Sequence, residues 1–203
     1  MIITENAHLA VQQEEQAEAE LIGRAQGGDE QAWEVLVGRH QAAAFRLAYL
    51  VVRDAAEAED VAQEAFVRAF LSLDRFERGR PFRPWLMSIT VNLARNRRRS
   101  LGRYLNNLRR LIEREPEPVH LHHYGDDLQA RREAHLLWQA VQKLNQKGQE
   151  VVYLRYFLEM SEAETAETLG IVPGTVKSRL HRALKQLRGV IEREFGELGE
   201  IGD

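Results

Sequence analysis

Ser88, Asn92, Arg95, Asn96 and Arg99 stand at i, i+4, i+7, i+8 and i+11, so a helix gathers them on one continuous face. Hydroxyl, amide and guanidinium groups in such a stripe make a poor core but a good surface for phosphates and base edges. The cations continue through Arg97, Arg98, Arg103, Arg109 and Arg110. Just upstream, Phe76, Phe82 and Trp85 are interleaved with Arg75, Arg78, Arg80 and Arg83, and Gly79, Pro81 and Pro84 keep this stretch from being a continuous helix. Rings and guanidinium planes stack on bases while charge meets phosphate, which is how a single strand is held. The alternative is that the rings pin the loop to a core, and for Trp85 that role is preferred.

A second group of donors lies near the C-terminus. Gly174, Lys177, Ser178, His181, Arg182 and Lys185 share one side of a helical stretch, opposite Val176, Leu180, Ala183, Leu184 and Leu187. Arg and Lys on such a face suit guanine edges and phosphates. What positions them is written in the residues just before. Ser161 with Glu164 three residues on is a capping box that opens a short helix. Gly170 closes that helix in a left-handed conformation, and Pro173 suits the first turn of the next. Small Ala166 lets two helices cross closely. Together these spell a helix-turn-helix, whose second helix enters the DNA major groove.

The earlier elements follow the same helical logic. Glu18 to Gln26 reads as a short helix stopped at Gly27-Gly28, with Asp29 capping the next. That helix carries Trp33, Leu36, Val37, Ala44, Leu47, Ala48 and Val51 on one stripe. Asp54 caps a third helix with Ala58, Val61, Ala62, Ala65, Phe66, Ala69, Phe70 and Leu73 inward and Glu59, Asp60, Gln63, Glu64 and Arg68 outward. An acidic face of that kind is ordinarily solvated surface. Pro84 is taken to open a fourth helix with Trp85, Leu86, Ile89 and Leu93 inward, and Arg131 to begin later helices carrying Leu136, Leu137, Ala140, Val141 and Leu144.

Composition excludes several classes. With 28 Lys and Arg against 31 Asp and Glu, the net charge is -3, so positive charge must be segregated rather than spread, and free affinity for DNA is modest. Absence of cysteine removes disulfides, thiolate metal sites and thiol nucleophiles. No apolar run reaches membrane-spanning length, and no signal-peptide layout opens the chain. A cytoplasmic, all-α protein without catalytic residues or cofactor is expected. His120, His122 and His123 lack cysteine partners and ligand-like helical spacing, so no metal is assigned to them.

These motifs resemble those of the extracytoplasmic-function group of sigma-70 family sigma factors, which keep only the second and fourth conserved regions. The resemblance rests on Asp29 through Trp33, Glu59-Asp60-Val61-Ala62-Gln63-Glu64-Ala65-Phe66, Phe82-Arg83-Pro84-Trp85-Leu86, Ile89 and Asn92. It continues in Ser161, Glu164, Ala166, Leu169-Gly170 and Gly174 through Ala183, in the expected order and separation. It implies two small helical domains on a flexible tether: a leader over 1–17, a region 2 domain over 18–100, a linker over 101–130, a region 4 domain over 131–195 and a tail over 196–203.

It further implies roles for particular residues. Glu59, Asp60, Gln63, Glu64 and Arg68 would dock on the clamp helices of the largest subunit of core RNA polymerase, and the polymerase β flap would be a further contact. Phe76, Arg80, Phe82, Ser88, Asn92, Arg95, Asn96 and Arg99 would hold the melted −10 strand with one base extruded. Lys177, Ser178, His181 and Arg182 would read the −35 duplex, while Thr175 and Arg179 meet its phosphates. An anti-sigma factor would hold the protein in check. Three departures stand out: Asn96 where aspartate is common, Thr165 where isoleucine is usual, and Leu144-Asn145 with Gln149-Glu150 where Leu-Pro and Arg-Glu open region 4. The rival is a helix-turn-helix regulator of the response-regulator output type, which requires a βα domain upstream and dimeric duplex binding.

Overall fold

Capping chemistry sets the first helices. The computed structural model describes Gln13 and residues 16–108 and 128–194, and no strand occurs among them. Helix α1 occupies 16–26 and is broken by Gly28, which turns through a φ of 87°. Asp29 then caps α2 (Glu30–Val52), accepting from the Ala32 amide at 3.1 Å. Arg53 closes α2 in a left-handed conformation, and Asp54 caps α3 (Ala55–Ser72) through the Glu57 amide at 2.9 Å. A 3-10 turn, Leu73–Arg75, leads through a short loop into α4 (Phe82–Leu108). This helix begins at Phe82 rather than Pro84. Pro84 lies within the first turn, whose amides have no intrahelical acceptors and so lose nothing to a proline.

Leu36, Ala44 and Leu47 of α2, Ala58, Ala65 and Ala69 of α3, and Leu86, Val91 and Ala94 of α4 interlock in one core. Alanines on all three helices allow close approach. Phe70, expected inside, is 50% exposed, because Ala69 holds the inner line and Phe70 falls one residue beyond it, tilted against Trp33 at 5.3 Å. Trp33 and Val37 are half-buried at the rim. His40 is buried instead, 2.9 Å from the Glu18 carboxylate of α1.

The second set of helices comprises α5 (Leu128–Gln142), α6 (Gln146–Val152), a π-helical turn over Tyr153–Phe157, α7 (Glu162–Leu169) and α8 (Pro173–Glu194). Where proline was the usual opening of α6, Asn145 caps it through the Gly148 amide at 2.9 Å. Gln149 and Glu150 are buried polar residues. Gln149 Nε2 donates to the carbonyls of Val141 and Gln142 at 3.3 and 2.9 Å, satisfying acceptors that the end of α5 leaves open. Leu137, expected inside, is exposed, and Trp138 takes the inner position against Tyr153 with ring centroids 6.1 Å apart.

The capping box forms as its residues dictate: Glu164 N–H donates to Ser161 Oγ at 3.2 Å, and Ser161 N–H to Glu164 Oε2 at 2.7 Å. Gly170 (φ 63°) ends α7, and the Ile171 amide reaches back to the Ala166 carbonyl at 2.9 Å, a Schellman closure. Pro173 is the first residue of α8. Val176, Ala183 and Val190 form the inner line of α8; Leu180 and Leu187 are half-buried, and Leu184, also expected inside, is 38% exposed.

The chain divides into two compact units between Leu108 and Arg109. Helix α4 therefore runs on past residue 100. Most of the leader, the linker stretch carrying Pro116, Pro118, His120, His122 and His123, and the tail over 196–203 lie outside the described residues.

Candidate nucleic-acid interface

The outer side of α4 is the stripe that spacing foretold. Asn92, Asn96 and Arg99 are exposed, Ser88 and Arg95 half-buried, while Thr90, Val91 and Ala94 turn inward. Arg95 Nη1 donates to Asn92 Oδ1 at 2.9 Å. That bond occupies the amide oxygen and leaves the Asn92 N–H pair as donors to an external acceptor. Ser88 Oγ donates to the Trp85 carbonyl at 2.7 Å, so toward solvent its hydroxyl can only accept. Arg97 leans the other way, its guanidinium 3.0 Å from Glu57 and 3.6 Å from Asp60 on α3.

The aromatic loop departs from expectation. Phe76 and Phe82, assigned to base stacking, are 5% and 0% exposed. Phe82 sits among the rings of Trp33, His40, Phe76 and Trp85, with centroids 5.3 to 6.5 Å away. Two phenylalanines without a polar atom gain more by filling this cluster than by waiting for a base in water. Trp85, preferred as the core ring, keeps part of its surface exposed. The cations stay outside: Arg80 is exposed, its guanidinium 4.0 Å from Glu77. Sequence reasoning missed Gln26, whose side chain bonds the backbone of this segment from α1. No local pattern announces it, since its partners are 47 and 50 positions away.

On α3, Glu59, Asp60, Gln63 and Arg68 are exposed and Glu64 half-buried. Arg68 donates through Nε and Nη2 to Glu64 Oε1 at 3.0 and 2.6 Å, and Asp60 is shared with Arg97, so two of these acids already face cations. Val67 and Leu71 lie exposed on the same helix, which adds apolar area to the polar face.

On α8, Lys177, Ser178, His181 and Arg182 are exposed, and Thr175 and Arg179 half-buried. Ser178 Oγ donates to the Thr175 carbonyl at 3.1 Å, and Arg182 Nε to the Ser178 carbonyl at 3.1 Å. The remaining donors, Lys177 foremost, project from a helix whose back is apolar. Among the described residues no group of histidines and acids is placed to hold a metal ion, and no helix is long and apolar enough to cross a membrane.

Two helical units, the later one a helix-turn-helix with basic groups on its outer face, define a DNA-binding transcription protein. Residues 36–104 match the family model for sigma-70 region 2, and residues 134–187 that for sigma-70 region 4. The extracytoplasmic-function (ECF) RNA polymerase sigma factor SigE of Mycolicibacterium smegmatis is 33% identical over 184 residues, covering 85% of this chain and 68% of that one. The ECF sigma factor SigW of Bacillus subtilis is 33% identical over 175 residues, covering 82% and 92%. Among solved structures, CnrH in complex with the cytosolic domain of CnrY superposes with a TM-score of 0.67 at 28% identity, over 88% of this chain and 99% of CnrH. The chain belongs to the ECF group of the sigma-70 family and is an RNA polymerase sigma factor.

Proposed function

We propose that this sigma factor directs core RNA polymerase to promoters by gripping two DNA elements in different states. The α3 face of Glu59, Asp60, Gln63, Glu64 and Arg68 docks on the clamp helices of the largest subunit, and the second unit meets the β flap. The α4 stripe holds the −10 element as a melted strand, and α8 reads the −35 element as duplex. The observation that carries this reading is the Asn92–Arg95 pair, which leaves amide donors beside the exposed Asn96 and Arg99 on a helix whose inner side buries Leu86, Val91 and Ala94.

Each part follows from chemistry. With a net charge of -3 the free protein holds DNA weakly, so polymerase must supply the rest of the grip. Two modest contacts on one tether gain effective concentration without new surface. Nothing is catalysed by these residues; strand opening comes from binding the single strand better than the duplex, a shift of population. Because Phe76 and Phe82 are packed away, an extruded base meets Arg80, Asn92 and Asn96 rather than those rings. CnrH is seen with the cytosolic domain of CnrY, and an anti-sigma factor is proposed as a partner here on that likeness.

The test is run-off transcription with reconstituted core enzyme from the same genome. Initiation at a defined promoter set, abolished by charge reversal at Glu59, Asp60 and Glu64 together, is the expected result. Failure of the wild-type chain to support initiation at any promoter of that genome refutes it. Dimeric binding to duplex without polymerase would favour the response-regulator alternative, although the upstream half shows only helices among its described residues.

A further inference from the structure

Gln26 closes α1 and is half-buried. Its Nε2 donates to the carbonyls of Leu73 and Phe76, both at 2.9 Å, and its Oε1 accepts from Arg78 Nε at 2.7 Å. One amide thus spends two donors and one acceptor on a segment 47 to 52 positions along the chain. The two carbonyls bracket the 3-10 turn, Leu73 opening it and Phe76 following it, and the third partner lies in the loop itself. The Arg78 guanidinium also lies beside Gly23, one turn earlier on α1, where a Cβ would meet Arg78 Cζ at an ordinary contact distance of 3.8 Å.

Within the loop the Arg80 amide bonds the Glu77 carbonyl at 3.3 Å, and Gly79 passes through a φ of 92°. On one side the loop is moored by the buried ring of Phe76, and on the other by the start of α4 at Phe82. Gln26 supplies a tie toward α1. The end of α1 is itself held, since Gly27 donates to the carbonyls of Gly23 and Arg24 and Asp29 receives Arg24 Nε at 2.8 Å.

We propose that Gln26 is a positioning residue for base selection at the −10 element. Its amide fixes the loop over 77–81 and thereby where Arg78 and Arg80 stand relative to the Asn92 and Asn96 stripe. This rests on the reading of α4 as the strand-binding surface, and it adds a residue from a helix that touches no DNA in that reading.

The experiment uses the full chain in reconstituted holoenzyme with a promoter library randomised across the −10 element, read out by sequencing of initiating templates. Gln26→Ala flattens the base preference at one −10 position by about five-fold, the worth of one ordinary hydrogen bond, while core affinity and −35 preference stay at wild-type values. Gln26→Glu keeps the acceptor for Arg78 but sets oxygen against the two carbonyls, and it flattens the preference at least as much. Arg78→Ala, an exposed change, carries the test should the Gln26 variants melt early, with a smaller loss at the same position. Wild-type base profiles in folded variants overturn the inference. So does a parallel fall in core affinity and −35 preference, which would mark a merely structural tie. If the wild-type chain itself fails to initiate, the function proposed above falls first and this inference with it.

Discussion

Phe82→Ala separates the two things an aromatic ring in this loop can do. The side chain is fully buried and touches four other rings. A phenylalanine covers roughly 150–250 Å², which at ~25 cal/mol per Å² amounts to about 4–6 kcal/mol as an upper bound. Truncations of buried phenylalanines cost about 3–5 kcal/mol, so a loss of about 4 kcal/mol is expected. Against a total stability of about 5–15 kcal/mol that is a large fraction. At about 4–8 °C per kcal/mol it lowers the melting temperature of the first unit by roughly 15–30 °C. A ring that stacked on a base would behave in the opposite way, costing about 1–3 kcal/mol of strand binding and leaving the melt unmoved. Calorimetry of the full chain reads the first effect, and capture of a −10 oligonucleotide by holoenzyme at low temperature reads the second. A variant melting within about 3 °C of wild type yet unable to hold the strand would refute the core assignment.

Other outcomes follow from single side chains. Thr165 is fully buried, and its hydroxyl has no hydrogen-bond partner; Thr165→Val should stabilise the second unit by about 1 kcal/mol, and a lower melting temperature would contradict this. Asn92→Ala should reduce open-complex formation about ten-fold, the scale of a good base contact, with no change in −35 preference. Permanganate reactivity of the −10 thymines measures it, and an equal loss in both elements would sink the division between the units. The Asp29 carboxyl is held below its ordinary range, first by the Ala32 amide and then by Arg24. A lowered folded value means its contribution is complete above the unfolded value and fades as pH falls through the folded one. Asp29→Asn keeps a cap but removes the titration, so wild type should exceed it in stability at neutral pH and converge on it in acid; a gap that stays constant into acid would be wrong for this origin.

Where structure is fixed by neighbours in sequence, the chain could be read directly. Asp29, Asp54, Ser161 with Glu164, Gly170 and Pro173 each act within four residues, and each helix end they mark forms as their chemistry requires. The polar stripe of α4 was legible for the same reason, since period alone decides which residues share a face. Phe76 and Phe82 were misread because interleaved rings and cations do not say which way the rings turn. That choice was made by Trp33 and His40, far away in sequence. The hydrogen-bonding roles of Gln149 and Gln26 escaped notice because their partners are carbonyls of other elements, and bonds of that kind leave no periodic trace. The π-helical turn at Tyr153–Phe157 is likewise a product of packing rather than of any local residue signal.

The inner line of α8 consists of Val176, Ala183 and Val190, whereas Ser178 and Arg182 bond only to the backbone of their own helix. The outward letters of that helix therefore carry almost none of the folding burden. If α8 reads the −35 duplex as proposed, a lineage can rewrite Lys177, His181 or Arg182 and retarget the sites it visits without first repairing the scaffold that presents them.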